Sequence, residues 1–254
     1  MSTQASRREA LRAQQVAQAK ASRNRKMVGA GAGIAAVVLA TVLIVVAVSG
    51  MSTGGGSAYP KNATAAKDAV AIYPAAAKAG APTIDVYLDY QCPICKVAEA
   101  TYGATMYALA QSGDIKLVQH TMTFMDDNLR NTASTRAAVA ATCADTYGDK
   151  YAQMTTAIFS NQALTETVGS VGYEDKLLRE TLPAQLGITG DNLVGFQKCY
   201  DTQAPKSFLD TVAKNSYAAG VKGTPTFKRD GVVLSVNPAS TTVDQFKSLL
   251  LTGK

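Results

Sequence analysis

The hydrophobic pattern of the chain changes period several times, and each change marks an element. Val28 to Val48 is a run of 21 residues without charge or proline. As a helix it is apolar on every face and long enough, at about 1.5 Å per residue, to cross a hydrocarbon core of about 30 Å. Thr83–Tyr90 (TIDVYLDY) instead alternates Ile84, Val86 and Leu88 against Asp85, Tyr87 and Asp89, the period of a strand. Directly after it, Cys95, Ala98, Tyr102, Met106 and Leu109 recur at helical spacing. Ile115–Phe124 reads as the next strand and Ala69–Tyr73 as a short earlier one. A strand, a helix of about 20 residues and a second strand suit a parallel βαβ crossover.

Beyond Asp126 the strand signal stops. Thr135–Thr146, Lys150–Ser160, Glu174–Gln185 and Asp191–Tyr200 each read as helical, separated by glycine-containing turns at Gly148, Gly169–Gly172 and Gly187–Gly190. A helix at Lys206–Ala219, a strand at Thr226–Arg229, an Asp230-Gly231 hairpin turn and a strand at Val232–Val236 follow. The closing helix opens at Thr242, whose spacing to Gln245 fits a capping box, with Val243, Phe246, Leu249 and Leu250 as its apolar face. The order is βαβ, a helical block over 126–204, then αββα, an α/β architecture.

Charge locates the ends of this plan. The formal net charge is +6. Residues 1–26 hold Arg7, Arg8, Arg12, Lys20, Arg23, Arg25 and Lys26 against Glu9 alone, so the whole excess sits there and the remainder is formally neutral. A basic tail without a basic face removes the main support for nucleic-acid binding. Basic residues before the apolar run, and none directly after it, predict a basic cytoplasmic tail at 1–26 and a transmembrane anchor at 27–49. A flexible linker at 50–66, rich in Gly54, Gly55, Gly56 and Ser57, and a folded domain at 67–254 follow. A cleaved signal peptide competes, since Ala47-Val48-Ser49 resembles a cleavage site, but its apolar stretch is usually only about 7–15 residues. The expected location is a cell membrane crossed once, with the N-terminus cytoplasmic and the domain outside, where disulfides persist.

The chemistry centres on cysteine. Cys92-Pro93-Ile94-Cys95 falls where strand gives way to helix, so Cys92 is expected to lie exposed at a helix N-terminus, whose free N–H groups and dipole favour a thiolate. Across a two-residue spacer, Cys95 is one turn away and within reach of a mixed disulfide on Cys92. Pro93 suits the first helical turn, where its missing N–H costs nothing. Half of a zinc site and an inert structural bridge compete; the first lacks ligands beyond His120 and two distant cysteines, the second gains little from so short a loop. Cys143 and Cys199 lie in two predicted helices. They read as a structural bridge that pins the helices together, with a second redox pair or two buried thiols as the alternatives. His120, on a strand with no evident partner, reads as structural.

Three strings in order, YLDYQCPICK, the helical block and GVKGTPTF, resemble the DsbA-like branch of the thioredoxin superfamily over about residues 67–254. The resemblance implies a thioredoxin-like fold with a helical domain inserted at about 126–204. It also implies a nucleophilic Cys92, a resolving Cys95, and a cis Thr224–Pro225 bond packed beside them, with Pro93 and Ile94 completing the active-site support. It implies an enzyme that introduces disulfides into exported substrate proteins with free thiols, and no bound cofactor or metal. The implied partner for reoxidation is a membrane quinone reductase of the DsbB or vitamin K epoxide reductase-like kind. An isomerase or reductase of the same fold, and a non-catalytic binding module, are the alternatives. One departure stands out: many relatives carry a buried carboxylate six residues before the first cysteine, and that position is Val86 here. Asp85 and Asp89 flank it, but alternation turns both to the opposite face; Asp89 resembles an aspartate often present in the FxDxxCPxC form of the family and reads as local structure.

Overall fold

The computed structural model describes residues 59–254. The predicted tail at 1–26 and anchor at 27–49 lie outside the described residues, as does most of the linker. Among the described residues no helix is long and apolar enough to cross a membrane.

Five strands form one sheet in the order β1-β3-β2-β4-β5. They are β1 (Val70–Ile72), β2 (Thr83–Asp89), β3 (Lys116–Met122), β4 (Thr226–Arg229) and β5 (Val232–Val233). β2 and β3 are parallel, joined by the crossover helix α1 (Pro93–Gln111); the other neighbours are antiparallel. The helical block comprises α2 (Met125–Leu129), α3 (Ala133–Gly148), α4 (Tyr151–Ser160), a π-helical turn at Leu177–Thr181 running into α5 (Leu182–Gln185), and α6 (Gly190–Asp201). α7 (Lys206–Ala218) leads back to the sheet and α8 (Val243–Thr252) closes the chain.

The alternation of β2 sorts the two layers. Ile84, Val86 and Leu88 join the main core with Tyr102 and Met106 of α1. Phe246 of α8 stacks on Tyr102 at 4.1 Å, and Phe227 of β4 meets both rings edge-on. Offset and edge-on aromatic pairs of this kind add about 0.5–1.5 kcal/mol each beyond their burial. The opposite face carries Tyr87 with Met122 and Val221. At α8 the predicted capping box is present: Thr242 Oγ1 accepts from Gln245 N, and Gln245 Oε1 accepts from Thr242 N.

Four expectations need correction. The linker set at 50–66 ends too late, because Asn62 donates from its backbone and side chain to Asp145 of α3, and Tyr59 meets Phe208 edge-on. Ala63 also bridges Val70, so residues 59–66 are a packed strap. Second, Glu174–Gln185 is not one regular helix. Pro183 has no N–H to give to the carbonyl of Arg179, and the backbone widens into the π turn just before it. Third, β5 stops at Val233, because Val236 N turns back onto Leu234 O at 3.1 Å and leaves the ladder. Fourth, His120 has partners: Nε2 lies 3.0 Å from Asp85 Oδ1 and Nδ1 3.1 Å from the Asp68 carbonyl, with the ring stacked on Tyr87.

Candidate active site

β2 ends at Asp89 and α1 starts at Pro93, so Tyr90, Gln91 and Cys92 form the turn between them. Pro93 occupies the first helical turn, and Cys92 is the N-cap, with φ −76° and ψ 116°. Its sulfur does the work of the usual capping oxygen: Cys92 Sγ accepts from Cys95 N at 3.3 Å. Cys92 and Cys95 are both free thiols here. The expectation that Cys92 lies exposed is corrected, for the residue is only 6% accessible and Cys95 only 2%, while Ile94 between them is 52% accessible. The N-cap position tucks the sulfur under the turn.

The second loop closes over the pair. Thr224–Pro225 is cis, and the Thr224 carbonyl accepts from Cys92 Sγ at 3.3 Å. Cys92, Cys95, Thr224 and Pro225, 130 residues apart in sequence, therefore meet at one end of the sheet. The Thr224 hydroxyl is buried and has no hydrogen-bond partner among the described residues.

This setting separates the two thiols. The Cys92 pKa falls to about 6, chiefly because the Cys95 thiol hydrogen-bonds to its thiolate. Burial opposes the shift, while Thr224 and the N–H groups of Cys95 and Ile94 reinforce it. Cys95 is pushed well up by its own burial and by the charge on Cys92. One sulfur is ionised at neutral pH while its neighbour keeps its proton.

At the Val86 position, the cross-strand neighbours are Gln119 of β3 and Phe227 of β4, so no carboxylate replaces the missing one from an adjacent strand. Two buried acids nearby were not singled out as site residues by sequence reasoning. Glu99 lies one turn after Cys95, but its carboxylate folds along α1 against Gly103 and accepts from Thr156 Oγ1 (2.6 Å) and Tyr107 OH (3.2 Å). Burial raises its pKa. Asp89, read from the sequence as local structure, is fully buried at the root of the redox turn. The resemblance to the FxDxxCPxC pattern marked the position but not its role, because its partners at 125 and 134 left no local pattern.

Cys143 of α3 and Cys199 of α6 are joined as a disulfide with Cα atoms 6.0 Å apart. Of the expected site residues, these two form a separate place, within the helical block.

The geometry can now be set beside known proteins. No match was found among curated proteins. Among solved structures, the chain is similar to the MdbA protein, a thiol–disulfide oxidoreductase from Corynebacterium diphtheriae. The TM-score is 0.61 at 17% identity, with 80% of this chain and 97% of that one covered. MdbA from Actinomyces oris, also a thiol–disulfide oxidoreductase, gives 0.61 at 18% identity over 79% and 98% of the two chains. DsbA from Mycobacterium tuberculosis gives 0.55 at 20% identity over 73% and 93%. At these identities the likeness speaks to the fold, a thioredoxin-like α/β core with a helical insertion. The sequence profile described as thioredoxin matches residues 76–250, well over half of the chain. This chain therefore belongs to the thioredoxin family.

Proposed function

We propose that this protein is a thiol–disulfide oxidoreductase that introduces disulfides into exported proteins, with Cys92–Cys95 as its redox couple. The observation that carries the reading is Cys92 as the N-cap of α1, its Sγ accepting from Cys95 N and lying 3.3 Å from the Thr224 carbonyl, with Cys95 buried behind it. In the oxidised form a substrate thiolate attacks Cys92 Sγ, the Cys92–Cys95 bond breaks, and Cys95 leaves with the bonding electrons and takes up a proton. A second substrate thiolate then attacks the substrate sulfur of the mixed disulfide. Cys92 departs as a thiolate, so the substrate loses two electrons and the couple gains them. A stable thiolate is a good leaving group, and it favours the reduced couple, which makes the disulfide oxidising.

Ile94 and Val97, both exposed on the first turns of α1, offer an apolar margin for an unfolded chain beside the sulfurs. The extracytoplasmic location rests on the predicted anchor at 27–49 and on the Cys143–Cys199 bridge, which needs an oxidising compartment. Turnover there requires a membrane oxidant, and the quinone-reductase class fits an enzyme tethered at the bilayer. A direct test mixes the oxidised protein with a reduced, unfolded peptide containing two cysteines. The reading expects one peptide disulfide formed per Cys92–Cys95 disulfide consumed. Failure of the fully oxidised protein to transfer its disulfide would overturn it.

A further inference from the structure

The redox turn is held from one side by an unusual number of buried polar bonds. Asp89 is fully buried, and its carboxylate accepts from Gln91 N (3.0 Å), Met125 N (3.0 Å) and Ser134 Oγ (2.5 Å). Its backbone carbonyl accepts from Cys92 N at 3.0 Å. Gln91 is also fully buried; its Nε2 lies 2.9 Å from each of Asp126 Oδ1, Asn131 Oδ1 and Ser134 Oγ, and its Oε1 accepts from Asn131 Nδ2 at 2.8 Å. Asp126 in turn accepts from the N–H groups of Ser134 and Thr135 in the first turn of α3. Tyr90 completes the set: its carbonyl accepts from Tyr173 OH at 2.6 Å, and its own hydroxyl meets Thr155 Oγ1 at 2.9 Å.

Every partner beyond the turn itself (Met125, Asp126, Asn131, Ser134, Thr155, Tyr173) belongs to the helical block. Donors and acceptors fit one arrangement. Ser134 must give its single proton to the Asp89 carboxylate, so it accepts from Gln91, and Gln91 shares its two amide protons among three acceptors. Gly172 keeps the packing close, since a Cβ there would stand 2.5 Å from Ala133 Cβ and 3.2 Å from Gln91 Oε1. The titratable groups around Asp89 are Asp126 of α2, Tyr173 of the loop after α4, and the thiols of α1. Burial raises the Asp89 pKa to about 7, the three hydrogen bonds opposing it.

We propose that Asp89 and Gln91 are positioning residues, a buried latch through which the helical insertion holds the redox turn in the geometry that stabilises the Cys92 thiolate. The hydrogen bonds that favour the thiolate come first from the Cys95 thiol and then from Thr224 and the N–H groups of Cys95 and Ile94, and such bonds weaken steeply as their angle opens. A turn fixed at Asp89, Tyr90 and Gln91 keeps Cys92 Sγ aimed at those donors. A turn released from the insertion does not. The same network could serve only to anchor the insertion, and the test separates the two.

The inference rests on the proposed oxidoreductase function, and the control is the parent protein. Gln91→Ala removes the grip without removing a charge. The Cys92 thiolate, followed by absorbance at 240 nm against pH, is expected to titrate about one unit higher. The equilibrium constant with glutathione should shift about tenfold toward the oxidised protein, about 30 mV for a two-electron couple. Asp89→Asn should move both readings in the same direction. Ser134→Ala, the mildest change, should move them about threefold and decides the matter if the other two do not fold. Folded variants with a lowered Tm but an unchanged thiolate midpoint and equilibrium constant would overturn the latch. A parent protein with no reversible couple would instead overturn the functional reading beneath it.

Discussion

The chain holds two cysteine pairs, and they are opposites in every respect that governs sulfur chemistry. Cys92 and Cys95 are three residues apart on one helix end, with thiolate-directed donors around one sulfur and the Thr224–Pro225 loop across from it. Cys143 and Cys199 are 56 residues apart and join two helices, α3 and α6, within the helical block. Closing the first pair constrains almost nothing in the unfolded chain. Closing the second removes loop entropy worth about 4 kcal/mol on a chain-entropy account. One environment makes a bond easy to open, the other makes a bond that holds the fold, though the residue is the same.

The largest effect expected from breaking this comparison is all-or-none. Cys95→Ser removes the resolving thiol and should accumulate mixed disulfides on Cys92, visible as reductant-sensitive adducts on a gel. Cys92→Ser should accumulate almost none, because Cys95 is buried behind the turn. Equal trapping by both variants would erase the assignment of roles.

Replacing Cys143 and Cys199 together by Ala should act on the fold alone. The expected loss is about 2–4 kcal/mol, a fall in Tm of roughly 5–15 °C, with exchange per folded molecule preserved. Loss of exchange in a folded variant would make the bridge part of the redox path.

A smaller effect should appear in pH. The folded Cys92 pKa, about 6, lies below the ordinary thiol value near 8.5, so ionisation favours the reduced folded state. That contribution is fully present above about pH 8.5 and is lost as pH falls through 6. The reduced protein should therefore melt above the oxidised one at pH 7–8, and the difference should shrink toward pH 5. A difference independent of pH would show that Cys92 carries no unusual charge. The Cys143–Cys199 bridge, which does not titrate, should leave this profile unchanged when removed.

How much of this could be read from sequence depended on whether the determinants were local. β2, β3 and α1 followed from alternation and helical spacing, and the α8 cap from Thr242 and Gln245, because each pattern lies within a few residues. Cys92 and Cys95 stood out for the same reason. What escaped was set by distant partners. Asn62 reads as linker until Asp145 is placed beside it, and Asp89 reads as a strand-end residue until Ser134 and Met125 fold against it. The accessible Cys92 expected from a helix start turned out to be tucked under its own turn, a consequence of a cysteine acting as its own N-cap.

The reduction potential of the Cys92–Cys95 couple, measured in glutathione buffers on the protein with its Cys143–Cys199 bridge intact, tests the central claim most directly. A thiolate stabilised at Cys92 and a proton held on Cys95 predict an oxidising couple, between about −200 and −120 mV, with two thiols released per chain in the transition. A value near about −270 mV or below would mark a reductant and contradict the account.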